Sequence, residues 1–284
     1  MSFVSSSLGT DIDRWLQEDG VGHGGAYWQR LPATAVKCQI KIKSPMVLAG
    51  LPWFVSVFEK LEPKLGESLR PVLGWEGKHL KGYEVIELPV KLEWGTAVTG
   101  ERLALNLLHR ASAVATATRR LVEKTAPHGI KVLDTRKTSP GLRELEKYAV
   151  TLGGGHNHRF TQTDSWMIKD NHKALMGLAG SVDFFRGLKQ PYKNIIVEIH
   201  SLAELIEARE LKVKHFMLDN FSAEDLQTAC STKQAGEFFE VSGGINVDTV
   251  EKAMIPGVDA VSSGSITMFP PAVDISFKYQ AVKS

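Results

Sequence analysis

The chain has 284 residues, 43% hydrophobic and 23% charged, enough to bury one large or two modest cores and unlike a disordered or fibrous composition. Its formal charge of +2 excludes a global basic field for nucleic acid, so any affinity for anions has to come from local clusters. No run approaches about 18 apolar residues, no basic stretch precedes an apolar leader, and Cys38 and Cys230 lack metal or disulfide-framework spacing; a cytoplasmic protein with no membrane or nucleic-acid partner is expected.

In chain order, VKCQIKIK (36–43) alternates as a half-buried strand. LPWFVSVFEKLEPKL (51–65) has helical spacing with Pro52 in its first turn, and GYEVIELPVKLEW (82–94) reads extended. The long Ala- and Leu-rich stretch from Gly100 predicts one helix that closes at Pro127 and Gly129 and bridges two domains. Six short apolar runs follow: IKVLDTRK, SWMIKDNH, NIIVEIHS, HFMLDNF, FFEVSGGI and AVSSGSI. Their exits at Asp134, Lys169, Glu198, Asp219, Ser242 and Ser263 are 35, 29, 21, 23 and 21 residues apart, the lengths of successive βα units.

Parallel strands that close, or nearly close, into a barrel bring their C-terminal ends to one face, where such folds keep their chemistry. Arg136, Lys137 and Lys169 then share a rim with Glu198, Asp219, the loop Ser242-Gly243-Gly244 and the loop at Ser263-Gly264. VSGGINVDTVEKAM (241–254) predicts a strand, a small-residue turn and a helix whose first amides and dipole suit a phosphate. His158 and Arg159 in GGGHNHR add to the basic cluster, and so does Arg102, which at the start of the long helix would oppose the helix dipole unless an anion offsets it. Arg grips carboxylate or phosphate with two bonds while Lys acts as a point charge. Glu198 and Asp219 suit Mg2+ held together with substrate phosphates, directly or through water, and equally suit ribose hydroxyls; spacing does not separate these roles.

The run TRKTSPGLRELEKYAVTLGGGHNHRFTQTDSWMIKDNH (135–172) resembles quinolinate phosphoribosyltransferase, also called nicotinate-nucleotide pyrophosphorylase (carboxylating). GERLALNLLHRASAVAT, VEIHSLAELIEA, HFMLDNF and VSGGIN continue the resemblance over about 101–266, with RWLQED and VLAG extending it more weakly toward the N-terminus. The resemblance implies an α/β fold, with an N-terminal α/β sandwich domain (1–106, completed by the tail 267–284) and an incomplete, TIM-like α/β barrel (107–266). It implies the reaction of quinolinate with phosphoribosyl pyrophosphate to nicotinate mononucleotide, pyrophosphate and carbon dioxide, in NAD biosynthesis. Arg102, Arg136, Lys137, His158, Arg159 and Lys169 would form the cationic pocket. Arg102 would reach into the site of a partner subunit, making the protein a homodimer or higher homo-oligomer. Glu198 and Asp219 would hold ribose and Mg2+, with Ser242, Gly243, Gly244, Ser263 and Gly264 around the phosphates. Lys137, Lys169, Glu198 and Asp219 are the expected catalytic set.

Three departures stand out: segment 18–31 lacks the Asp-Thr common in the family, Met46 stands where glycine is common, and Ile196 stands where many members carry glutamate. Three rival readings are a related pyrophosphorylase-like protein associated with molybdenum transport, an aldolase using Lys169 as a Schiff-base amine, and a non-catalytic anion-binding or scaffold protein on the same fold.

Overall fold

The computed structural model describes residues 8–22, 27 and 30–282, so the atypical segment 18–31 lies partly outside the described residues. It divides into two compact units: Met1–Ala117 with Pro140–Gly153 and Pro270–Ser284, and Thr118–Ser139 with Gly154–Phe269. Among the described residues no helix is long and apolar enough to cross a membrane. Cys38 and Cys230 are free and buried, and burial pushes the Cys38 thiol up to about 12 and raises Cys230 as well, which makes both poor nucleophiles.

The first unit carries a three-stranded antiparallel sheet in the order β11 (Ile275–Ala281), β1 (Ala35–Ile42), β4 (Val85–Glu93). Val36, Cys38, Ile40 and Ile42 of β1 are buried and the residues between them are not, the two-residue period of a sheet with one packed face. Helix α2 (Leu51–Leu61) supplies Phe54 and Phe58, which meet Phe277 of β11 at ring-centroid distances of 6.0 Å. The first amides of α2 have no side-chain cap of their own. The Glu76 carboxylate accepts from the N–H groups of Gly50 (2.7 Å) and Leu51 (2.9 Å) instead. Gly50 itself is left-handed at φ 101°, and a Cβ there would lie 2.9 Å from that of Ala111.

Helix α4 (Trp94–Thr125) follows β4 directly, six residues earlier than the sequence suggests. Its first turns, WGTAVT, are poor helix formers, and packing overrides that preference. Gly100 sits so close to Phe58 that a Cβ would meet the ring at 2.6 Å. Arg102 therefore lies in the third turn, and the helix-dipole reading of it lapses. Further along, buried Ser112 and Thr116 accept from the backbone N–H groups of Ala49 and Val47, both at 3.0 Å, which satisfies a segment with few strand partners.

The second unit is an all-parallel six-stranded sheet in the order β5 (Lys131–Leu133), β10 (Ala260–Ser262), β9 (Phe238–Ser242), β8 (His215–Asp219), β7 (Ile195–Ile199), β6 (Trp166–Ile168). All six expected runs form its strands. Near-continuous burial, such as the central Ile196-Val197-Glu198-Ile199 of β7, is the mark of parallel strands covered on both faces. The sheet is not closed by pairing of β5 with β6. The outer edge of β5 is met instead by a single parallel bridge, with His156 N–H to Val132 O (2.8 Å) and Asp134 N–H to His156 O (3.1 Å). The fold class is as expected, an antiparallel sheet with helices and an incomplete parallel barrel.

One expected helix does not form. After Gly244 the chain makes only turns and a short 3-10 segment, Val250–Ala253, and after Gly264 a single turn, α9 (Ser265–Met268). Pro256 and Gly257 follow too soon for a regular helix, so a long helix dipole is absent from both loops.

Candidate active site

Every strand of the second unit is parallel, so the exits share one end of the sheet. At the exit of β5, Asp134 is fully buried and its Oδ1 accepts from the His158 backbone N–H at 2.8 Å. That bond draws GGGHNHR onto the β5 exit. The Arg159 guanidinium lies near Arg136: burial first, then the Arg136 charge, lowers its affinity for a proton, although guanidinium stays charged. Arg159 donates to the carbonyls of Gln162 (3.2 Å) and Ser165 (3.4 Å). Lys137 lies against the β10 exit, where Thr267 Oγ1 donates to its carbonyl at 2.7 Å. A Cβ on Gly264 would come within 3.0 Å of Lys137 Cδ, so the loop is glycine where the lysine stem crosses it.

At the exit of β6, Lys169 precedes helix α6 (Asp170–Gly187), and its Nζ is paired with Glu198 Oε2. That contact occupies the amine that a Schiff-base aldolase would need free. Asp170, Glu198 and His200 place one ligand atom each within 4.8 Å of one another. His200 Nε2 lies 2.8 Å from Asp170 Oδ1 and 3.6 Å from Glu198 Oε1, and its Nδ1 lies 3.8 Å from Asp219 Oδ2. Lys173 Nζ sits behind them, bonded to Glu198 O at 3.0 Å and to the Glu204 carboxylate. The carboxylates of Asp170 and Glu198 are hard oxygen donors, so with His200 this cluster fits a divalent cation.

The exits of β8 and β9 interlock. Asn220, left-handed at φ 56°, donates its N–H to Ser242 O (3.0 Å) and its Nδ2 to Asp219 Oδ2 (2.8 Å). Gly243 has φ 99°, and a Cβ there would fall 2.2 Å from Asn220 Oδ1; any side chain would break the turn. Gly244 is also left-handed, and its carbonyl accepts from Thr249 Oγ1 at 2.6 Å. Ser263 is buried, and its hydroxyl donates to Ile245 O at 2.6 Å, bracing the loop from behind.

The second unit thus brings together Arg136, Lys137, Arg159, Lys169, Glu198, Asp219, Ser242, Gly243, Gly244 and Gly264 at one end of its sheet. His158 belongs to the same cluster, with its ring turned inward and only 8% exposed. Arg102 belongs to the first unit, 61% exposed, with Glu101 at 3.9 Å. Sequence reasoning missed Asp170, Lys173, His200 and Glu240. The first two stand on the first turn of a helix beside Lys169, and His200 lies two residues past Glu198, which is signal enough to have found them.

The family model for the quinolinate phosphoribosyl transferase C-terminal domain matches residues 114–278. A probable nicotinate-nucleotide pyrophosphorylase [carboxylating] of Synechocystis is 36% identical, with 94% of this chain and 92% of that protein covered. The nicotinate-nucleotide pyrophosphorylase [carboxylating] of Rattus norvegicus is 34% identical, covering 97% and 92%. Among solved structures, NadC from Streptococcus pyogenes superimposes with a TM-score of 0.86 at 32% identity, covering 96% of each chain. The nicotinate-nucleotide pyrophosphorylase of Francisella tularensis gives 0.83 at 31%, covering 96% and 97%.

Proposed function

This chain belongs to the quinolinate phosphoribosyltransferase family, and from that premise we propose that it joins quinolinate to phosphoribosyl pyrophosphate with loss of carbon dioxide, releasing nicotinate mononucleotide and pyrophosphate in NAD biosynthesis. The observation that carries this reading is the gathering of Arg136, Lys137, Arg159 and Lys169 at the strand exits of one parallel sheet. A basic cluster of this kind suits a ligand with two adjacent carboxylates.

In this reading Arg136 and Arg159 bind the pyridine dicarboxylate, and Lys137 and Lys169 complete the cationic wall. His158, expected from the sequence to join them, holds the Arg159 turn from within instead. Ser242, Gly243, Gly244, Ser263 and Gly264 form loops that let phosphate oxygens approach the backbone. Glu198 and Asp219 hold the ribose hydroxyls and, with Asp170, Mg2+, which when bound offsets the charge of the diphosphate leaving group. As the bond from ribose C1 to diphosphate breaks, positive charge grows at C1 and the pyridine nitrogen attacks it. The carboxylates near the ribose favour that charge, so positioning and electrostatics do most of the work. The quaternised ring then accepts the electron pair left by departing carbon dioxide, and a proton replaces it; no nucleophilic side chain is needed.

Arg102 is assigned to the site of a second copy, so the working protein is a homodimer or larger. Mixing inactive Arg102→Ala and Lys169→Ala subunits restores partial activity if the assignment holds. A cytoplasmic location belongs to the same reading. The deciding experiment is chromatographic detection of nicotinate mononucleotide from the two substrates, expected with Mg2+ and strongly reduced without it. No product at high enzyme concentration overturns the proposal.

A further inference from the structure

Glu240 is a charged side chain that the reaction as described leaves unused. It lies in the middle of β9, paired in register with Met217 and Ala260, and is 0% exposed. A carboxylate taken out of water costs several kcal/mol unless other groups offset it, so its partners decide its role. Two histidines from different elements converge on one oxygen: His158 Nε2 at 3.3 Å and His215 Nε2 at 3.2 Å from Oε2. Burial opposes ionisation, but the His158 and His215 rings beside Oε2 outweigh it and lower the carboxyl to about 2. The surroundings of Glu240 therefore favour its anionic form.

The other face of His158 shows what that anion organises. Its Nδ1 accepts from the Arg159 backbone N–H at 2.7 Å, so the ring proton falls to Nε2, which lies 3.3 Å from the Glu240 carboxylate in close electrostatic contact but outside hydrogen-bond alignment. The His158 backbone N–H is itself held by Asp134. One residue thus joins the barrel interior, the β5 exit and the main chain of Arg159. We propose that Glu240 is a positioning residue, whose carboxylate fixes the tautomer and orientation of His158 and so presents the Arg159 turn to the pyridine dicarboxylate. The inference rests on the function proposed above. A buried ion pair is weak evidence for stability, since apolar residues of similar size often do as well. A histidine oriented through its second nitrogen by a carboxylate is a recurrent device of functional sites.

The test has two arms. In the unaltered protein, the 15N signals of the His158 imidazole are expected to show a protonated Nε2 and an unprotonated Nδ1. The reverse tautomer overturns the proposal, whatever the activity. In Glu240→Gln, the shape is kept and the charge lost. Quinolinate affinity by calorimetry is expected to weaken roughly tenfold, about 1.4 kcal/mol, with the KM for phosphoribosyl pyrophosphate unchanged and the His158 signals shifted. Unchanged quinolinate affinity in a folded Glu240→Gln protein overturns the proposal, and if that variant does not fold, the tautomer measurement decides alone. Failure of the unaltered protein to bind quinolinate sinks the parent reading instead, while the tautomer result stands separately.

Discussion

The two units put their polar side chains to different ends. In the first, polar side chains serve the chain itself: Ser112 and Thr116 satisfy backbone amides, and Glu76 caps a helix it does not belong to. In the second, Asp134 and Ser263 do the same, but more exposed charged groups also gather at the strand exits, with the Arg136 charge felt at Arg159. Polar groups that satisfy the chain stabilise it, whereas polar groups left in tension are available to a ligand. The comparison assigns stability effects to the first set and activity effects to the second.

The sharpest way to break that division is Lys169→Ala. It is expected to lower turnover by about 10²–10³-fold, measured as nicotinate mononucleotide formed per minute, with the thermal midpoint little changed; Arg136→Ala should behave alike. Wild-type rates in both would remove the cationic wall from the mechanism. Next in size is Gly243→Ala, where the added Cβ meets Asn220 and the left-handed backbone is strained. It is expected to raise the KM for phosphoribosyl pyrophosphate by about tenfold or more, a cost of 1–3 kcal/mol for strain at a special backbone position.

In the first unit, Glu76→Ala strips two buried N–H groups of their acceptor and should cost about 1–3 kcal/mol in urea unfolding, with the activity of the folded fraction intact. Loss of turnover without loss of stability would blur the distinction. The smallest effect concerns Glu84, whose carboxylate accepts from the backbone N–H groups of Lys81, Gly82 and Tyr83. Those bonds, with Lys81 foremost, lower it from an ordinary 4.5 to about 2. A depressed carboxylate contributes stability that is full above pH 4.5 and lost as pH falls through about 2. Glu84→Gln should therefore flatten the acid limb of the stability profile in that window and lower the plateau above it, leaving stability below about pH 2 alone.

The fold was largely legible because parallel strands buried on both faces write themselves as uninterrupted apolar runs, and the polar residue that ends each run marks its exit. IIVEI and HFMLD are read this way without ambiguity. The start of α4 was not legible, since WGTAVT has weak helix formers and its helicity depends on Phe58 packing against Gly100. The missing helix after Gly244 was lost for a related reason: VDTVEKAM has helical composition, but Pro256 cuts it short. Of the candidate site, the cations and loops could be read, and the role of His158 could not. Its inward turn depends on Asp134, 24 residues before it, and on Glu240, 82 residues beyond, and no local pattern encodes such meetings.

The lone bridge between His156 and the outer edge of β5 has a consequence for how this sequence can vary. It pins GGGHNHR to the sheet at one point, from which the chain runs two residues to His158 and three to Arg159. Adding or deleting a single residue between His156 and Arg159 would carry His158 away from Asp134 and Glu240, to which the anchor now delivers it. Length in this stretch is therefore expected to be more rigidly kept than the identity of many residues around it.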